Sequence, residues 1–284
     1  MFDTLSGVGG APVFVGGRAG WGLRGLPAAS VLGRPLSLAG DRLLPVDPAL
    51  VPLLVDGGLR RGSALVVGGV AGTSLALALA AGASRAGCWV AAVGVSWLGA
   101  RAAAELGVDL GRLVLVPDPG GQWPVVVASV LEAADVVVVG LPGRGVRPAD
   151  SRRLVARARE RGAVLVLVGV PVTGVGILGA GVAGRSWPEL PDLRLEVETA
   201  VWEGLGQGHG YLRSRAVTVA ATGRRGASRP RRVALWLPGP DGRLSVREVP
   251  TLAASGQGPG AGGLGGAGRS GAAGGSGPPV AVGS

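Results

Sequence analysis

The chain has 284 residues, 47% of them hydrophobic, which is enough to close one full core of roughly 150 to 220 residues with irregular ends. All 28 of its cations are arginine, set against 18 acids for a net charge of +10, so lysine chemistry is excluded and attraction to phosphate is permitted without being demanded. A single cysteine, Cys88, excludes a disulfide framework and a cysteine-based zinc site, and the lone histidine, His209, excludes a histidine-based metal centre.

Residues 1–40 carry no basic start followed by an apolar run and a small-residue cleavage site, so they are expected to be a flexible arm rather than a secretory signal. A domain is expected over 41–250. Its first part alternates short apolar runs, at 64–67, 88–95, 113–116, 135–139 and 163–168, with helix-like stretches at 73–86, 98–106, 124–134 and 149–161. That alternation predicts an α/β fold with a parallel sheet flanked by helices. Two uncharged stretches, 63–84 and 162–184, are long enough to span a bilayer. Glycines and Pro171 interrupt them, and each reads as a buried strand with its following loop, so no membrane association is expected.

Within the helical stretches, Leu98, Ala102 and Leu106 fall four apart on one face, Arg101 and Glu105 form an i,i+4 pair, and Gly107 supplies a stop. The helix after Pro148 turns Leu154, Val155 and Ala158 inward. Its Arg152, Arg153, Arg157, Arg159 and Arg161 form a solvated outer face, ended by Gly162. Beyond residue 190 the apolar segments 193–197, 216–221, 232–237 and 244–249 predict an antiparallel β extension or a small β-subdomain, with Pro238-Gly239-Pro240-Asp241-Gly242 as a turn. The Gly/Ala/Ser-rich tail at 251–284 has too little apolar surface to fold alone and is expected to be disordered.

The segment from Leu65 through Gly68, Gly69, Gly72, Thr73 and Ser74 is built like a phosphate-binding strand, loop and helix start. A working phosphate loop needs lysine before its Ser or Thr, with backbone N–H groups around the phosphates and the hydroxyl on magnesium. Here Thr73 stands at the lysine position and Ser74 at the hydroxyl. The next arginine in the chain is Arg85, beyond the body of the helix, so no arginine is expected to substitute. A second charge feature lies between Glu203 and Asp241, where Arg213, Arg215, Arg224, Arg225, Arg229, Arg231 and Arg232 occur with no acid. Two readings stand: a single-stranded DNA or partner surface, with Trp202, Tyr211 and Trp236 available for stacking, or a merely basic hairpin. Asp118, ahead of Pro119, reads as a turn former, and no Gly-x-Ser-x-Gly elbow supports a serine hydrolase.

The run Gly57-Gly58-Leu59-Arg60-Arg61-Gly62, the strand and loop after it, and Glu105-Leu106-Gly107-Val108-Asp109-Leu110-Gly111-Arg112-Leu113 together resemble the core of the RecA recombinase superfamily. Within it the chain is most similar to ImuA-type accessory proteins of bacterial mutagenesis cassettes, over about residues 45 to 220. The resemblance implies a RecA-like P-loop-type core. It also implies work in damage-induced translesion synthesis beside an ImuB-type Y-family polymerase homologue and, through it, an error-prone replicative-type polymerase.

Carried over position by position, the family's lysine falls on Thr73, its activating glutamate on the Gly94-Val95-Ser96-Trp97 stretch, and its magnesium-associated aspartate on Gly140. Asp135 lies at the wrong end of its strand to replace the last of these. Without lysine, base and metal ligand, phosphoryl chemistry loses the positioning and charge neutralisation it depends on. The expectation is a non-catalytic adaptor with no cofactor. Two alternatives remain open at this point: a nucleotide-dependent RecA-family DNA-binding ATPase, and a RecA-related cell-division regulator.

Overall fold

The computed structural model describes residues 13–14, 42–142, 145–169, 187–205, 209–223 and 230–248. Its centre is the strand β4 (Ala64–Gly68), whose sequence ALVVG is buried along its whole length. Strands covered on both faces need unbroken apolar runs, and β7 (Val136–Gly140, VVVVG) and β8 (Val164–Val168, VLVLV) have them. Each fully buried Val or Leu in such a run contributes about 1.5 to 3 kcal/mol, which is why these stretches form the interior.

With β5 (Val90–Val93) and β6 (Leu113–Val116), these strands make the parallel part of a ten-stranded sheet in the order β1-β6-β5-β7-β8-β4-β9-β10-β11-β12. The strand β1 (Val13–Phe14) pairs in parallel with β6. On the far side of β4, β9 (Leu193–Leu205) is still parallel to it. The following β10 (Gly210–Gly223), β11 (Arg231–Trp236) and β12 (Ser245–Val246) are antiparallel. The antiparallel strands therefore extend the main sheet; they are not a separate subdomain. A second, two-stranded sheet joins β2 (Leu43–Leu44) to β3 (Leu59–Arg60), with a 3-10 turn over Pro48–Leu53 between them.

Helices cover both faces. On one, α1 (Gly72–Arg85) and α2 (Ala100–Glu105) pack with Leu50, Leu53, Leu65, Val67 and Leu195; on the other, α3 (Trp123–Val130) and α4 (Pro148–Arg161) pack with Val66, Val137, Leu165 and Leu167. In α4 the inward residues are Leu154, Val155 and Ala158 as expected, and Gly162 closes the helix in the left-handed region at φ 66°. Its outer arginines are largely paired: Arg157 with Glu132 and Glu160, Arg161 with Glu132, and Arg152 with Glu189.

The α2 stretch departs from the sequence reading. The helix starts only at Ala100, so Leu98 sits in the turn before it and Ala103 and Leu106 are the buried pair, with Ala102 exposed. The i,i+4 pair Arg101–Glu105 is present at 2.8 Å. Two other details position the site. Gly82 of α1 lies so close to Val46 that a Cβ there would meet the Val46 Cα at 2.5 Å, which seats the helix on the 3-10 turn segment. At the amino edge, the Asp135 carboxylate accepts from Arg61 Nη1 at 2.9 Å and from the Trp89 N–H at 3.0 Å, tying β7 to its neighbours far from the loop after β4. Among the described residues no helix is long and apolar enough to cross a membrane.

Candidate functional site

At the carboxyl edge, β4 runs on through Gly68, and only Gly69, Val70 and Ala71 separate it from α1. The β4-to-β5 connection crosses over β8 and β7, so the loop lies where successive strands lead away from one another, the usual ligand position in open α/β sheets. The loop is tight. The Gly72 N–H donates to the Gly69 carbonyl at 3.0 Å, which uses internally a donor that an open phosphate cradle would turn toward its ligand. Gly69 takes φ 88° and packs on Val197 of β9, leaving no room for a side chain, so glycine is required there for both conformation and contact.

The two hydroxyls at the start of α1 are each engaged from elsewhere in the chain. Thr73 Oγ1, at the lysine position, accepts from the indole Nε1 of Trp97 at 2.9 Å. Ser74 Oγ accepts from Arg215 Nη2 at 2.8 Å, across a sequence separation of 141 residues. The Arg215 side chain is 7% exposed; its Nε donates to the Leu237 carbonyl at 2.7 Å and its guanidinium lies 4.8 Å from the centre of the Trp202 ring. Burial lowers its pKa from the ordinary arginine value, and three partners hold the charge in place. Spacing along α1 offers no arginine near the loop, the first being Arg85 at its far end. The guanidinium arrives instead from β10, where nothing in the local spacing announces it.

Next to the loop a carboxylate faces Gly68. Glu196 of β9 is in register with Gly68, and a Cβ on that glycine would collide with the Glu196 carboxylate. Burial raises the Glu196 pKa, Arg194 opposes the rise and Glu198 adds to it. An acid in this place repels further anionic charge. At the ends of β5 and β7 the geometry is closed by backbone: Gly140 lies against the Gly94 carbonyl, and a Cβ at 140 would fall well inside contact distance of that oxygen. Gly94 itself adopts φ 71° and donates to Val116 O at 2.8 Å, so its carbonyl is held in that position. Ser96 is exposed on the loop between β5 and α2. Nucleotide phosphates with magnesium do not fit these residues. The hydroxyl that would hold the metal is taken by Arg215, an aspartate at 140 has no space, and Glu196 flanks the loop. Among the described residues no group of His, Cys, Asp or Glu side chains is placed to hold a metal ion.

Of the seven arginines of the basic stretch, the four that are described do not share one surface. Arg213 is exposed on β10 and Arg215 is buried. Arg232 of β11 grips Glu198 through Nε and Nη2 at 2.9 to 3.1 Å, while Arg231 is half-buried opposite Ala221. Arg224, Arg225 and Arg229 lie outside the described residues. Asp118 makes the turn expected of it, accepting from the Gly120 N–H at 3.1 Å. The 238–242 turn is also present, with the Gly242 N–H on the Gly239 carbonyl and Arg243 N on Asp241 Oδ1.

Residues 52–174 match the family of the MT3502 N-terminal domain, a stretch that begins before β4 and ends beyond β8. The chain is also 41% identical over 143 residues to the uncharacterized protein Rv3395c of Mycobacterium tuberculosis (strain ATCC 25618 / H37Rv). That alignment takes in 50% of this chain and 64% of the relative, less than two thirds of its length. The family match therefore includes the loop, Trp97 and Gly140. It ends before β9, β10 and β11, which carry Glu196, Arg215 and Arg232.

Proposed function

We propose that this protein is a non-catalytic RecA-like adaptor in DNA-damage-induced translesion synthesis and mutagenesis. In this reading it binds an ImuB-type Y-family polymerase homologue and, through it, an error-prone replicative-type polymerase. The RecA-like assignment rests on the resemblance carried by the Gly57–Gly62 run, the loop after β4 and the Glu105–Leu113 segment. The strand-loop-helix unit at the carboxyl edge of a parallel sheet is consistent with it.

The observation that carries the adaptor reading is the internal occupation of the loop. Ser74 is bound by Arg215 and Thr73 by Trp97, so the first turn of α1 is completed by the chain itself. A first turn whose two hydroxyls are tied to distant parts of the chain is a structural joint, and a rigid scaffold is what an adaptor needs. Single-stranded DNA contact through the basic stretch outside the β9–β10 end is part of the proposal. It predicts an affinity that falls steeply with salt, and a flat salt response would remove DNA from the reading.

The test pairs binding with turnover. Purified full-length chain is expected to bind the ImuB-type homologue in interferometry, and to show no ATP-dependent rise in melting temperature and no DNA-stimulated phosphate release. Placing the missing cation with Thr73→Lys is expected to leave ATPase activity at background, because Gly140 and Arg215 still obstruct metal binding. DNA-stimulated hydrolysis by the unaltered chain would overturn the reading in favour of a nucleotide-dependent enzyme. A division phenotype on overexpression, without binding to the homologue, would favour the cell-division regulator.

A further inference from the structure

The strands β9 and β10 run past the rest of the sheet. Pairing of β9 with β4 ends at Glu196 opposite Gly68, and β10 meets β11 only from Ala216 onward, with one further exchange of backbone hydrogen bonds around Arg215. Residues 203–205 and 210–214 therefore form a short two-stranded ribbon projecting roughly 10 Å at ordinary strand rise. Among the described residues no strand pairs with either outer edge of it. A two-stranded ribbon is marginal in water by itself, and open edges are templates for another chain.

The ribbon's side chains are of one kind. Leu205, Tyr211 and Leu212 on it, and Val201 and Trp202 at its base, are all exposed, Tyr211 at 82%. Only two charged residues occur on it. Glu203 is met by the Ser214 hydroxyl at 3.4 Å, whereas Arg213 is exposed and makes no ion pair among the described residues. The base is firm, since Trp202 lies against Arg215, which is fixed to Ser74 and Leu237.

We infer that this ribbon is the docking arm of the protein, and that its occupant is another protein with an apolar groove edged by carboxylates. Leu205, Tyr211 and Leu212 enter the groove and Arg213 meets the acidic rim. The chemistry selects this occupant. A phosphate backbone would be drawn to clustered cations, and the ribbon offers a single exposed guanidinium; a second copy would bring a net +10 chain against another. Exposed aromatic and aliphatic anchors with a single rim charge are the composition of a protein-binding hot spot.

The inference rests on the adaptor reading, and its test separates the two. The probe is the purified ImuB-type homologue, offered to the full chain, to a Leu205→Ser, Tyr211→Ser double variant, to Tyr211→Ser alone and to Arg213→Glu. Melting temperatures check that each variant folds, and the single Tyr211 change, at the most exposed anchor, stands in should the double variant unfold. The double variant is expected to weaken binding about tenfold or more, and Tyr211→Ser about fivefold. Arg213→Glu is expected to slow association about threefold with little change in dissociation. Wild-type binding that survives all the substitutions overturns the arm and leaves the adaptor reading in place. Absence of wild-type binding overturns both. Gel filtration across concentrations, single-stranded oligothymidylate and anionic phospholipid vesicles complete the set. If the substitutions abolish self-association, DNA binding or vesicle binding but spare the homologue, the arm belongs to that other occupant and the inference fails.

Discussion

Where β4 and β7 end, the polar groups and open corners of the sheet are met from within the chain: Thr73 by Trp97, Ser74 by Arg215, Gly140 by the Gly94 carbonyl. Where β9 and β10 run beyond the sheet, apolar side chains and strand edges are left uncovered. The first region has the location of a ligand site but polar groups already engaged within the chain; the second has the packing of a surface and the composition of an interface. Position in a fold class therefore says less about function here than which groups are still unspent. One residue joins the regions, since Arg215 holds the loop with its Nη2 and supports Trp202 at the base of the ribbon with its guanidinium face.

Removing that joint is the strongest way to break the contrast. Arg215→Ala leaves the Ser74 hydroxyl and the Leu237 carbonyl without their donor and opens a gap under Trp202. It is expected to lower unfolding free energy by about 3 kcal/mol, measured by urea denaturation. Arg215→Lys keeps the charge but not the fork, and is expected to recover less than half of the loss. A variant as stable as wild type would mean that the loop is closed by its own backbone and owes nothing to β10.

A smaller effect tests the sealed corner. Gly140→Asp restores the acid that phosphoryl chemistry would want, at a position where a Cβ collides with the Gly94 carbonyl. The expected loss is about 2 kcal/mol by the same denaturation assay, with no gain in magnesium or nucleotide affinity by calorimetry. Tight magnesium-dependent nucleotide binding by this variant would show that the corner can open.

The smallest effect sharpens the electrostatic side. The Glu196 pKa is raised in the folded state, chiefly by burial, so the folded chain holds the proton to higher pH than the unfolded chain does. Its contribution to stability is complete below the unfolded pKa and is lost as pH rises through the folded one. Glu196→Gln is expected to raise the melting temperature slightly at neutral pH and to flatten the pH dependence just above the ordinary carboxylate range. No difference in the pH profiles would place the carboxylate in water rather than against the loop.

Much of the parallel sheet is legible in the amino-acid sequence, because valine-rich runs of four or five residues between glycines can satisfy a strand buried on both faces and little else. The α4 face is legible for a related reason: its arginines and its Leu154, Val155 and Ala158 separate cleanly at helical period. The short α2 is not. Six residues are too few for periodicity to fix which side turns inward, and the start of the helix at Ala100 moves the buried position to Ala103. The last two strands are legible at 232–237 and 244–249, but β9 and β10 show in the sequence only through the parts inside the sheet, 193–197 and 216–221. Their exposed continuations into the ribbon lack the apolar alternation that marks a half-covered strand.

The loop separates the two kinds of information most sharply. The missing lysine, the glycine at 140 and the serine at 96 are properties of the chain as written, and the expectation of lost phosphate chemistry rests on those residue types alone. What those positions touch is settled only by folding. The contact between Arg215 and Ser74 joins residues 141 apart, and the closure of Gly140 on Gly94 joins two strand ends through the sheet. Local propensity and spacing act over a few residues. A guanidinium's partner is chosen by which strands the buried sheet brings side by side.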